Sequence, residues 1–213
     1  MRFETEFVKK DIYLLKIEDG REFEIHMAVL DSDSMWTKSE TDEETITKLL
    51  KDEAAYVLME KAKKLSEYRS YSRKEFFNKL YKYEQDTEIR NMVLDKFEEY
   101  GIINDDAYAK RCAEYFIKTK HLSQREAKNR MTFLRGLSSE SAEDVLCEFE
   151  DSDIENLGYL IERKYQKYFE DIEDKKEIYK GKSALLRLGF KTCDIDNAVE
   201  DYFYSLESEE RIK

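Results

Sequence analysis

The chain has 213 residues, of which 41% are hydrophobic and 13% aromatic, enough apolar side chain to build packed cores. Charged residues reach 40%, mean hydropathy is −0.79 and the formal net charge is −12, so much of the surface is solvated charge. No stretch approaches the roughly 18 apolar residues of a spanning helix, the first ten residues carry no signal-peptide core, and Cys112, Cys147 and Cys193 stand far apart, which predicts a soluble, cytoplasmic protein with reduced thiols.

Residues 11–17 and 22–27 flank the turn Glu18-Asp19-Gly20-Arg21. In the second run Phe23, Ile25 and Met27 alternate with Glu22, Glu24 and His26, the period of a half-buried strand, and Asp-Gly between two such runs predicts a hairpin. Residues 2–8 are a candidate third strand. Thr41 and Glu44 form a Thr-x-x-Glu capping box that opens a helix near residue 42. From there on proline is absent and glycine rare, which predicts helices joined by short connections.

The helical part repeats. Val93, Val145 and Val199 are spaced by 52 and 54 residues, and Phe97, Phe149 and Phe203 follow each of them at i+4 on the same helix face. Leu80, Leu134 and Leu188 recur at 54 and 54 in the preceding helices. The pattern predicts helices near 53–68, 72–82 and 87–100, then 105–119, 123–135 and 139–149, then 153–171, 174–188 and 192–204. Ser72-x-x-Glu75 and Ser123-x-x-Glu126 cap the middle helices of the first two triplets. Glycine follows two of the middle helices, at Gly136 and Gly189, where an αL cap is needed. The expected fold is mainly α: a small β-hairpin extension (1–41), then three tandem three-helix repeats (42–101 with a leading helix, 102–150 and 151–213).

No motif in this chain carries catalysis. Asp105 and Asp106 follow Asn104 at a helix start, where carboxylates are stabilised by the dipole and need no metal. His26 and His121 have no second ligand at metal-binding spacing, and no phosphate-binding glycine loop occurs. Tyr165, Tyr168 and Phe169 fit a core stripe better than a base-stacking platform. Charge is uneven: residues 61–135 hold 18 Lys+Arg against 12 Asp+Glu, while the remainder carries a net −18. Arg69, Arg73 and Lys74 gather at one middle-helix start, and Lys118, Lys120, Arg125, Lys128 and Arg130 around the equivalent place in the next repeat. Cations at a helix start oppose its dipole, which points either to an external anion or to ordinary solvated surface charge.

Three stretches resemble the bacterial recombination regulator family RecX. Arg69, Ser72, Glu75 and Leu80 follow its R-x-[RK]-S-x-x-E-…-L pattern. The block Gly101-Ile-Ile-Asn104-Asp105-Asp106-Ala-Tyr108-Ala109 matches G-h-[IL]-[ND]-D-x-x-[YF]-A, and Leu185-Leu-Arg-Leu-Gly189-Phe190 is like L-x-[RK]-x-G-F. The hairpin looks like the amino-terminal extension of Gram-positive members. Tyr71 stands where a second basic residue is usual, and Tyr83-Glu84-Gln85-Asp86 replaces the usual glycine-type helix end. The resemblance implies an elongated, curved array that needs no cofactor. It also implies a monomer that binds the RecA filament in its groove and inhibits ATP hydrolysis and strand exchange. The net charge of −12 predicts that any contact with single-stranded DNA is weak. A direct nucleic-acid binder and a helical adaptor for another partner are the competing functions.

Overall fold

The computed structural model describes residues 1–212, arranged as two compact units, Met1–Ile103 and Asn104 onward. In the first unit, β1 (Phe3–Lys9), β2 (Ile12–Ile17) and β3 (Glu22–His26) form an antiparallel sheet in the order β1-β2-β3. Thr5 faces Leu15 and Phe7 faces Tyr13 across β1–β2, while Leu15 faces Phe23 across β2–β3, with an irregularity between Phe7 and Lys9. All three strands are present, so the candidate third strand is real.

Two short elements follow that the pattern did not predict: α1 (Met27–Ser32) and a 3₁₀ turn at Met35–Thr37. No capping side chain announces α1. His26 instead holds the junction, its amide and ring Nδ1 meeting the Glu53 carboxylate at 2.8 and 2.6 Å while the ring packs on Tyr56. It is therefore a docking residue between sheet and helix rather than a solvated strand position.

Helix α2 (Glu43–Tyr68) is one continuous element of 26 residues. Its cap is Asp42, whose carboxylate accepts from the Thr45 amide at 2.7 Å, and not Thr41, one residue earlier than the true start. The helix serves two cores. Ile46 and Leu49 close the first, with Leu15, Ile17, Ile25, Val29, Leu30 and Met35. Ala55, Leu58 and Ala62 belong to the second, with residues of α3 (Arg73–Leu80) and α4 (Thr87–Glu99) such as Phe76, Leu80, Val93, Leu94 and Phe97.

Helix α3 ends without glycine. Arg90 of α4, only 5% exposed, takes that role. It donates to the Phe77 carbonyl at 3.1 Å and lies 3.9 Å over the Phe77 ring, a cation placed where the α3 dipole is negative. This accounts for the Tyr83-Glu84-Gln85-Asp86 segment in place of a glycine cap. Replacing Arg90 with Met should cost about 2–4 kcal/mol in urea unfolding, because the carbonyls it serves lose their donor inside the fold.

The second unit holds α5 (Asp105–Glu114), α6 (Gln124–Phe133), α7 (Ser139–Leu146), α8 (Ser152–Tyr159), α9 (Lys175–Arg187) and α10 (Thr192–Ile212). Asn104 caps α5 by accepting from the Ala107 amide at 2.8 Å, and Tyr108 is buried, as helix-start chemistry requires. Helices α5 and α8 both widen into a π turn, Tyr115–Thr119 and Leu160–Lys164, so the predicted 153–171 helix breaks early. Phe169 is nonetheless fully buried, with Tyr165 and Tyr168 packed against its core.

Val93, Val145 and Val199 are all buried, and Phe149 and Phe203 pack on their cores. The leucine alignment needs correcting. Leu134 is the C-cap of α6 and 64% exposed, whereas Met131, one turn earlier, is the buried residue. Counted from the caps Ser72 and Ser123, Met131 and not Leu134 is the counterpart of Leu80. Among the described residues, no helix is long and apolar enough to cross a membrane.

Candidate functional site

Each unit carries one of the two basic helix starts, at α3 in the first and at α6 in the second. In the first unit, Arg69 follows α2 in extended conformation. Its guanidinium lies 3.9 Å over the Tyr71 ring and meets the Glu75 carboxylate at 2.5 Å. Tyr71 is itself buried and stacked on Phe76 at 4.8 Å, so its ring gives the Arg69 guanidinium a fixed support. The buried Ser72 hydroxyl accepts from the Glu75 amide at 3.1 Å and caps α3. Arg73 opens α3 against its dipole, but Asp95 at 2.7 Å and Glu98 at 2.6 Å on α4 offset this. Lys74 is exposed, with no carboxylate within 4 Å among the described residues.

In the second unit the amides that start α6 are satisfied from three directions. Ser123 Oγ accepts from the Glu126 amide at 3.2 Å. The Ser123 amide donates to the Leu188 carbonyl at 3.1 Å, and the Gln124 amide donates to Asp153 Oδ1 at 2.8 Å. Gln124 Nε2 donates in turn to the carbonyls of Phe149 and Glu150 at 2.5 and 3.0 Å. The capping box predicted here is thus only half used. Glu126 turns outward to Arg130 at 2.8 Å, because the Leu188 carbonyl has taken the amide it would have served.

The turn before α6 is held as firmly. His121 sits at φ +50, stacked on Tyr159 at 4.3 Å, with Nδ1 2.9 Å from Asn156 Oδ1. The buried Asn156 amide donates to the carbonyls of Ile117 at 3.1 Å and Leu122 at 3.4 Å. Around this turn Lys118 meets Glu114 at 3.4 Å, Lys128 is paired with Glu143, and Lys120 lies 5.3 Å over the Tyr115 ring. Arg125 is exposed with no carboxylate within 4 Å among the described residues.

Of the eight predicted residues, five have carboxylate partners inside the protein: Arg69, Arg73, Lys118, Lys128 and Arg130. Among the described residues Lys74, Lys120 and Arg125 have no carboxylate within 4 Å, and Arg125 feels Asp153 only at longer range. Sequence reasoning missed Asp153 and Asn156, and it read Gly189 as a helix-end glycine without its contact with the α6 start, 66 residues away. Among the described residues, no cluster of three or more His, Cys, Asp or Glu is placed to hold a metal.

Gly189 is required at this contact. It has φ +95, and an added Cβ would lie 2.5 Å from Glu126 Cβ and closer still to Ser123 Oγ. Gly189→Ala should therefore lower stability by about 2–4 kcal/mol in chemical denaturation, combining left-handed strain with overpacking.

Burial raises the Asp153 carboxyl above its ordinary 3.8, against the Gln124 amide bond that lowers it, and Asp194 adds to the rise. The folded state then binds this proton more tightly than the unfolded chain. Its contribution is most favourable below 3.8 and is lost as pH climbs through the folded value. Asp153→Asn keeps an acceptor for Gln124. Stability measured from pH 3 to 7 should show this falling contribution in the parent and not in the variant, with the variant the more stable near pH 7.

No family model and no curated relative matches the sequence. Solved structures do match. One named regulatory protein RecX superposes with a TM-score of 0.71 at 18% identity, over 92% of this chain and 98% of its own. RecX from Lactobacillus salivarius superposes at 0.59 with 22% identity, over 70% of this chain and 96% of its own. At these identities the likeness establishes architecture, and the chain has the fold of the solved RecX structures, mainly helical with a three-stranded sheet at its start.

Proposed function

We propose that this protein is a RecX-type regulator of homologous recombination. It binds the RecA filament in its groove, as a cytoplasmic monomer without a cofactor, and it acts by binding rather than by catalysis to restrain ATP hydrolysis and strand exchange. The fold likeness over 92% of this chain and 98% of a RecX structure carries this reading. The sequence motifs at Arg69–Leu80, 101–109 and 185–190 support it independently.

The contact residues lie at the two basic helix starts, one in each unit and each taken by itself. Lys74, Lys120 and Arg125 lead them, since among the described residues they have no close ion pair to give up. Lys118 can join by exchanging partners, because an exposed ion pair such as Lys118–Glu114 is worth only about 0–1 kcal/mol. Arg69, Arg73, Lys128 and Arg130 sit in partly covered pairs and contribute at the rim. A weak contact with single-stranded DNA is the second reading. It is favoured by the half-exposed Tyr159 stacked on His121 near Lys120.

The decisive measurement is the single-strand-dependent ATPase of the cognate RecA titrated with this protein. Inhibition is expected, and the variant Lys74→Glu/Lys120→Glu/Arg125→Glu should need at least tenfold more protein for the same effect. An unchanged ATPase at saturating binding would refute the inhibitory reading, and an equally potent variant would move the contact elsewhere. Tight, salt-sensitive binding to bare DNA without RecA would reverse the order of the two readings.

A further inference from the structure

The amino-terminal sheet presents an open edge. β1 has a neighbour on one side only: residues 40–41 pair with Met1 and Arg2 just before it, and past them Phe3–Lys9 makes no backbone hydrogen bond on its outer edge among the described residues. An unpaired strand of seven residues is a template for another strand. Side chains on either face of this edge differ in kind.

On the face turned to the core, Phe7 is 62% exposed. It starts an aromatic row, meeting Tyr13 edge-on at 5.6 Å, and Tyr13 in turn meets Trp36 at 4.9 Å. Trp36 is 43% exposed and is the only tryptophan in the chain. A row of aromatics that ends in solvent at a sheet edge lacks its last neighbour. On the opposite face, Glu4 and Glu6 of β1 lie beside Leu14 and Lys16 of β2, with Glu22 and Glu24 of β3 beyond. Lys16 pairs with Glu6 at 2.5 Å and Lys9 with Glu24 at 3.8 Å, while Glu4 and Glu22, opposite Lys16 on either side, share its charge only at longer range, so carboxylates outnumber cations on this face.

We infer that β1 is a docking edge for an extended protein segment carrying alternating basic and apolar side chains. Strand addition would place the partner's side chains about 5 Å from those of β1, basic ones facing Glu4 and Glu6 and apolar ones covering Phe7. Main-chain bonds supply the attachment and charge supplies the selection, since the same carboxylates repel an acidic strand. This site lies in the sheet, involves none of the helical cations above, and does not depend on the RecA reading.

Trp36 makes the test direct. The intact protein is titrated with a synthetic octapeptide of alternating Lys and Val, and Trp36 emission is followed alongside sedimentation. Saturable binding with a shift in Trp36 emission is expected. The same peptide methylated on alternate backbone nitrogens keeps its charge but loses the ladder, and it should bind at least tenfold more weakly. An alternating Glu-Val peptide should not bind, and Glu4→Lys should weaken the Lys-Val peptide several-fold. Equal binding of the methylated peptide would reduce the effect to charge attraction and overturn the proposal. Absence of binding at millimolar peptide would do the same. Self-association that shifts Trp36 emission without peptide would assign the edge to a second copy of this chain, and the proposed occupant would be wrong.

Discussion

The amides at the start of α6 are the constraint on which the second unit depends. A helix start exposes donors that no residue of its own helix can satisfy, and when it is buried some other part of the chain must supply oxygen. Here the oxygens come from Ser123, Asp153 and Leu188, so the helix is tied to α8 and to the turn before α10. Gly189 lets that turn come close enough, and Asn156 closes the neighbouring turn by holding the carbonyls of Ile117 and Leu122. The basic residues project from this frame. Their positions are set by buried hydrogen bonds, although the side chains themselves lie at the surface.

Charge follows a similar logic. A protein with a net charge of −12 has carboxylates available for almost any cation on its surface. Arg73 illustrates the consequence. Its place at the first position of α3 is unfavourable to the helix, yet Asp95 and Glu98 from α4 make it part of the packing between those helices. Basic residues at helix starts therefore do not by themselves identify a partner surface. The informative residues are those the fold leaves without a carboxylate.

Much of this architecture was legible in the sequence because its signals are local. Asp-Gly marked the hairpin, Ser72 and Ser123 marked helix starts, and the spacing of valine and phenylalanine marked the core faces of three helices. Legibility failed where two neighbouring choices are both chemically sound, as with Thr41 and Asp42, or Leu134 and Met131. It failed more completely where the determinant lies far along the chain. Nothing near residue 123 shows that a carbonyl at 188 will occupy its amide, and nothing near 26 announces Glu53. The candidate surface was therefore visible as a set of cations, but which of them would be engaged internally depends on tertiary contacts.

Helix α2 has one further consequence. Its first half completes the core of the sheet and its second half completes the next core, with no break between Ile46 and Ala62. Unwinding either half shortens a helix whose turns stabilise one another cooperatively, so the sheet and the first helical core share a common opening free energy. The small sheet, marginal if isolated, draws its persistence from this shared spine. Amide exchange in β2 should consequently report on events at α3 and α4, although no side chain of the sheet belongs to their core.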